Sequence, residues 1–189
     1  MRGTFVAVVG PSGSGKDSII ESTRAALKGR DEIVFPRRQI TRPASTGEDH
    51  SPVSEDEFGA AQSRGEFALT WRAHGLAYGI PAHVADVVAS GGVVVVNVSR
   101  GVLDRLPTLF TNVRVARVTV SEDVRLARIL ARGRENAIAA AARVARLDPA
   151  PDFPVDLEIV NDGTLDEASA AFAAFLGHVR DTTRAPDRQ

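Results

Sequence analysis

Residues 10–16 read Gly-Pro-Ser-Gly-Ser-Gly-Lys, directly after the apolar run Thr4-Phe5-Val6-Ala7-Val8-Val9. This is the G-x-x-x-x-G-K core of a phosphate-binding loop in its required setting, strand before and helix after. Gly10, Gly13 and Gly15 let the backbone curl with its N–H groups inward, where side chains would block a polyphosphate. Pro11, Ser12 and Ser14 complete the loop. Lys16 adds a point charge that reaches the β- and γ-phosphates, and the helix that follows adds its dipole. Ile19, Ile20, Thr23, Ala26 and Leu27 form one stripe of that helix, expected over 16–28 and stopped by Gly29. The expected ligand is ATP.

The motif ordinarily continues with Ser or Thr, whose hydroxyl holds Mg²⁺. This chain has Asp17 and then Ser18. Asp17 is either a hard-oxygen ligand for Mg²⁺, with Ser18 beside it, or a favourable anion in the first turn of a helix.

The 189 residues are 43% hydrophobic and 25% charged, which suits one soluble domain over 1–182 with a flexible tail at 183–189. A net charge of −1 lends no support to a nucleic-acid partner. Cysteine is absent, which excludes disulfides and thiolate metal sites. No apolar run approaches the ~18 residues of a membrane span. The N-terminus leads straight into a strand, with no signal sequence, so a cytoplasmic enzyme is expected.

Strands alternate with helices along the chain, which implies an α/β fold with a central parallel sheet covered on both faces. Strands are expected at 4–9, 33–35, 93–98, 113–120 and 155–160. Glu66–Trp71 and Ala77–Ile80 read as short strands around His74-Gly75, and Arg37–Ser54 as an irregular polar stretch. Ser54 followed by Glu55-Asp56-Glu57 reads as a helix start. Pro81 opens a helix to Ser90, another is expected near 101–106, and Ser121 caps one over 122–132. The last helix carries Leu165, Ala168, Phe172, Phe175, Leu176 and Val179 on one stripe.

Arginines cluster outside the loop: Arg37, Arg38 and Arg42, then Arg128, Arg132 and Arg134, then Arg143 and Arg146. Arg125 and Arg146 read as solvated faces. Two groups of arginines, one for each anionic substrate, are what phosphoryl transfer requires, because guanidinium forks match phosphate oxygens in pairs.

An ordered set of segments resembles the guanylate kinase family over nearly the whole chain. Gly10–Lys16, Thr41-Arg42-Pro43 with Gly47-Glu48, Glu66-Phe67, Gly75 to Tyr78-Gly79, Arg132-Gly133 with Glu135 and Arg143, and Val160-Asn161-Asp162 carry it. The resemblance implies a P-loop kinase fold, an acceptor-binding subdomain at 36–80, a lid at 132–146, and Asn161 near the adenine. The departures concern the acceptor. Leu69 stands where that family keeps a guanine-reading glutamate, Ser45 replaces its second acceptor arginine, and His50 stands at its phosphate-touching tyrosine. A guanine donor opposite Leu69 would be left without a partner, at a cost of about 1–3 kcal/mol.

A closer likeness is to the ribose 1,5-bisphosphate phosphokinase family, a relative linked to phosphonate breakdown. It rests on residues 10–18, Ile40-Thr41-Arg42, the segment Leu69 to Gly79 with Trp71 and His74-Gly75-Leu76, Val96 to Arg100, and Arg132 to Asn136. It implies transfer of phosphate from ATP to ribose 1,5-bisphosphate, giving 5-phosphoribosyl 1-diphosphate. An arginine-rich pocket poor in base-reading carboxylates suits an acceptor with two phosphates and no base. Under this resemblance Lys16, Arg132, Arg134 and Arg143 act on the transferred group. Arg38, Arg42, His50 and Tyr78 bind the acceptor. Asn97 and Ser99 either face its hydroxyls or merely end a strand. His74 reads as a turn residue and Trp71 as core.

Overall fold

The computed structural model describes residues 3–43, 49–131 and 150–184. The elements in order are β1 (Thr4–Val9), α1 (Lys16–Ala26), β2 (Ile33–Val34), β3 (Arg38–Ile40), β4 (His50–Pro52), α2 (Glu55–Ser63), β5 (Phe67–Ala73), β6 (Leu76–Pro81), α3 (His83–Ala89) and β7 (Val93–Asn97). A 3₁₀ turn (Arg100–Arg105), α4 (Leu106–Leu109), β8 (Val113–Thr119), α5 (Glu122–Ala131), β9 (Leu157–Val160) and α6 (Leu165–Arg184) follow.

Five strands form a parallel sheet in the order β2-β7-β1-β8-β9. The continuous apolar runs of β1 and β7 follow from burial on both faces. Phe5, Ala7 and Val9 of β1 and Val94 and Val96 of β7 point into a core with α3, the 3₁₀ turn and α4. Val6, Val8, Val93 and Val95 point the other way, against Ile19 of α1 and Phe172 and Leu176 of α6. The loop 10–15 therefore emerges from the middle of the sheet, with α1 on one flank.

A second sheet has the order β4-β3-β6-β5. Here the structure differs from the irregular stretch expected at 37–54. Arg38–Ile40 and His50–Pro52 pair in parallel, and Gln39 and Ile40 pair with β6. Each piece is three residues long, too short for a period-two pattern to register. The His74-Gly75 connection is a two-residue hairpin loop with φ of 54° and 75°, the positive pair that matches the twist of the strands. Pro81 ends β6 opposite Phe67 instead of opening a helix. The ends also shift elsewhere: α1 stops at Ala26, and the segment after β7 is a 3₁₀ turn running into α4.

Candidate active site

The glycine loop is shaped by contacts on both sides. Gly15 has φ 89°, and a Cβ there would lie 2.3 Å from Asn161 Nδ2. Gly10 has φ 150°, and a Cβ there would lie 2.2 Å from the Val118 carbonyl. Side chains hold the loop's carbonyls. Lys16 Nζ donates to the Gly10 and Pro11 oxygens at 2.8 and 2.9 Å. Arg125 Nε donates to the Ser12 oxygen at 2.9 Å, and Asn161 Nδ2 to the Ser14 oxygen at 2.7 Å. The Ser14 N–H donates to the Pro11 oxygen at 3.3 Å, and with the carbonyls fixed in this way the loop's other N–H groups can make an anion nest at the start of α1.

Asp17, one residue into α1, accepts from Asn97 Nδ2 at 2.7 Å, and Arg38 lies 3.7 Å from the same oxygen. Three elements meet here: the N-terminus of α1, the C-terminal end of β7, and β3 of the second sheet. They border a cavity of about 660 Å³ whose lining includes Asp17, Ser18, Phe35, Arg38, Asp49 and Asn97. Arg38 is 11% exposed in its side chain, whereas Arg37 is 62% exposed and pairs with Asp49. Asp49 also binds Arg24 of α1 at 2.7 Å. Hydrogen bonding to Glu21, reinforced by Asp49, raises the Arg24 pKa and keeps its guanidinium charged.

The other expected residues fall as follows. Arg42 follows β3, and its carbonyl lies 3.3 Å from His50 Nε2. His50 is only 5% exposed, and its buried Nδ1 has no hydrogen-bond partner among the described residues. Its described contact is thus with the backbone that carries Arg42. Tyr78 stacks on Trp71 with ring centroids 5.1 Å apart, and Trp71 packs against the core as expected. Ser99 lies past the end of β7, and its hydroxyl accepts from the Gly101 N–H at the start of the 3₁₀ turn. Ser18 is exposed at the cavity. Arg132, Arg134 and Arg143 lie outside the described residues, as do Arg146 and Ser45.

Two readings need correction. Arg125, expected on a solvated face, is 8% exposed and bonded to the loop. The signal was available: it stands four residues before buried Ile129, on the same face of α5. Leu69, expected to face the acceptor, is 2% exposed in the core beside Ile80 and Val84. A bulge between Phe67 and Leu69 shifts the register there, which residue counting does not reveal. Arg128 was missed as a loop neighbour: its NH1, buried and without a described partner, would lie 3.7 Å from a Cβ at Gly15.

A glycine loop between a central parallel strand and α1, with a second sheet overhanging its end, defines a P-loop kinase of guanylate kinase-like fold. The guanylate kinase of Anaplasma phagocytophilum shares this fold, with a TM-score of 0.69 over 100% of this chain and 90% of that one at 20% identity. No family model matches the chain. Among curated proteins it is 54% identical over 165 residues to ribose 1,5-bisphosphate phosphokinase PhnN of Pseudofrankia inefficax, covering 86% of this chain and 85% of that one. It is 45% identical over 179 residues to the protein of the same name in Acidiphilium cryptum, covering 95% of each. The chain belongs to the ribose 1,5-bisphosphate phosphokinase family.

Proposed function

We propose that this enzyme transfers the γ-phosphoryl group of ATP to the 1-phosphate of ribose 1,5-bisphosphate. An oxygen of that phosphate attacks the γ-phosphorus, the bond to the β-bridging oxygen breaks, and ADP leaves with the electron pair. The product is 5-phospho-α-D-ribose 1-diphosphate, and the setting is phosphonate breakdown in the cytoplasm. The observation that carries the reading is the position of Arg38: a nearly buried cation on the second sheet, 3.7 Å from Asp17 at the end of the phosphate loop and lining the same cavity. An arginine there meets an anionic acceptor beside the donor's terminal phosphate.

Position in the fold supports the roles of the described residues, and the family resemblance supports those of the arginines of 132–146. Lys16 would leave the Gly10 and Pro11 carbonyls for the β- and γ-phosphates. The second sheet would hold the acceptor through Arg38, Arg42 and Tyr78. Arg132, Arg134 and Arg143, in a lid at 132–146, would act on the transferred group and exclude water. The hard oxygens of Asp17 and Ser18 beside the loop fit Mg²⁺, which would neutralise charge between the β- and γ-phosphates. His74, in the hairpin loop, has no part; transfer between phosphates needs no strong base.

The test is mass-spectrometric detection of 5-phosphoribosyl 1-diphosphate from ATP and ribose 1,5-bisphosphate, with GMP as competing acceptor. A higher kcat/KM for GMP would replace this reading with a guanylate kinase.

A further inference from the structure

The loop's carbonyls are held by three side chains with different prospects during turnover. Lys16 is the one that must let go, because its ammonium belongs on the incoming phosphates. Gly10 and Pro11 then lose their side-chain donor. Asn161 and Arg125 are bonded to Ser14 and Ser12, and the phosphates make no such demand on them. Arg125 also packs against the loop. A Cβ on Gly13 would lie 3.3 Å from Arg125 Cγ and 3.0 Å from Ile129 Cγ1, so α5 lies directly on the loop. A buried guanidinium is a poor choice for stability alone, since an apolar side chain of similar size avoids its desolvation.

We propose that Arg125 is a positioning residue for nucleotide binding. Its Nε–H holds the Ser12 carbonyl outward, so that the loop keeps its phosphate-receiving shape while Lys16 exchanges partners. Arg125 acts through the Ser12 backbone and touches neither substrate. The role rests on the reading of the loop as the ATP site.

Two substitutions separate the hydrogen bond from the charge. In Arg125→Gln the amide nitrogen stands the same number of bonds from the backbone as Nε, so the donor is kept and the charge lost. In Arg125→Met the packing is kept and the donor lost. Binding of ATP and of ADP is measured calorimetrically without acceptor, alongside the melting temperature and the KM for each substrate. Arg125→Met should weaken both nucleotides about tenfold, with a melting temperature near that of wild type. Arg125→Gln should bind within about twofold of wild type, because the hydrogen bond to Ser12 remains. The KM for the acceptor at saturating ATP should not move in either. If Arg125→Met fails to fold, Arg125→Leu, which has no donor on its side chain, replaces it with the same expectation. Wild-type nucleotide affinity in the donor-less variant overturns the proposal. So does equal weakening in Arg125→Gln, which would assign the effect to charge, or a matching rise in the acceptor KM. Failure of wild type to bind ATP at all would overturn the ATP reading instead.

Discussion

Asp17 accepts from Asn97 and faces Arg38, so its carboxylate is already oriented by two groups from other elements. Asp17→Ala should raise the Mg²⁺ concentration for half-maximal rate, and Asp17→Ser should do so less, since a hydroxyl is the usual ligand there. A Mg²⁺ titration checks both; no change in either variant leaves only the helix-dipole role. Leu69 gives the second prediction at this scale. Its burial in the core that also holds Ile80 and Val84 means that Leu69→Glu places a lone carboxylate there. The expected loss is about 3–5 kcal/mol of stability, read by denaturant unfolding. An unchanged midpoint would mean that the side chain reaches the cleft after all. Individual residues were legible in the sequence where spacing determines chemistry. Gly10 to Lys16 needed nothing else. Leu69 and Arg125 were misread because their roles depend on depth. Letters show which residues stand four apart, and a bulge or a neighbouring helix decides what covers them.

Helix starts were more legible than short strands, because caps are local. At α2, Ser54 Oγ accepts from the Glu57 N–H at 3.2 Å while Glu57 accepts from the Ser54 N–H at 2.7 Å. At α6, Thr164 and Glu167 make the same reciprocal pair, which the sequence reading did not single out. The backbone N–H of Ser54, then its hydroxyl, lowers the Glu57 pKa, and Thr164 does the same to Glu167. A lowered folded pKa gives stability that is present above the ordinary glutamate value of about 4.3 and lost as pH falls through the lower folded value. Glu167→Gln should therefore lower the melting temperature at neutral pH and make little difference once the carboxyl is protonated. Thermal melts of both proteins across that range check the sign. By contrast, β3 owes its existence to a partner far along the chain, and β4 pairs in turn on β3. The Thr41 N–H donates to the Ala77 carbonyl and Thr41 Oγ1 accepts from the Ala77 N–H, contacts 36 residues apart. No window on the sequence contains both.

Across the whole molecule, the contacts between the second sheet and the rest of the fold include an ionic one and an apolar one. In the ionic one, Asp49 joins Arg24 of α1 to Arg37 beside β3. These side chains are partly exposed, so the effect on stability is small and screened by salt. Asp49→Asn should nevertheless raise the acceptor KM at low ionic strength while leaving nucleotide affinity unchanged. The difference from wild type should shrink in high salt, and steady-state kinetics in both conditions decide it. The other contact is apolar. Leu69 and Ile80 of the second sheet occupy the same core as Phe5, Ala7 and Val96 of the first. Between β2 and α3 the chain makes a continuous excursion, which invites the view of an exchangeable cassette. A shared interior denies that freedom. Transplanting the excursion from a relative would bring side chains shaped for another floor, so recombination at its two ends is a poor route to a new acceptor. Single substitutions on the cleft wall, which leave the shared interior untouched, are the better route to one.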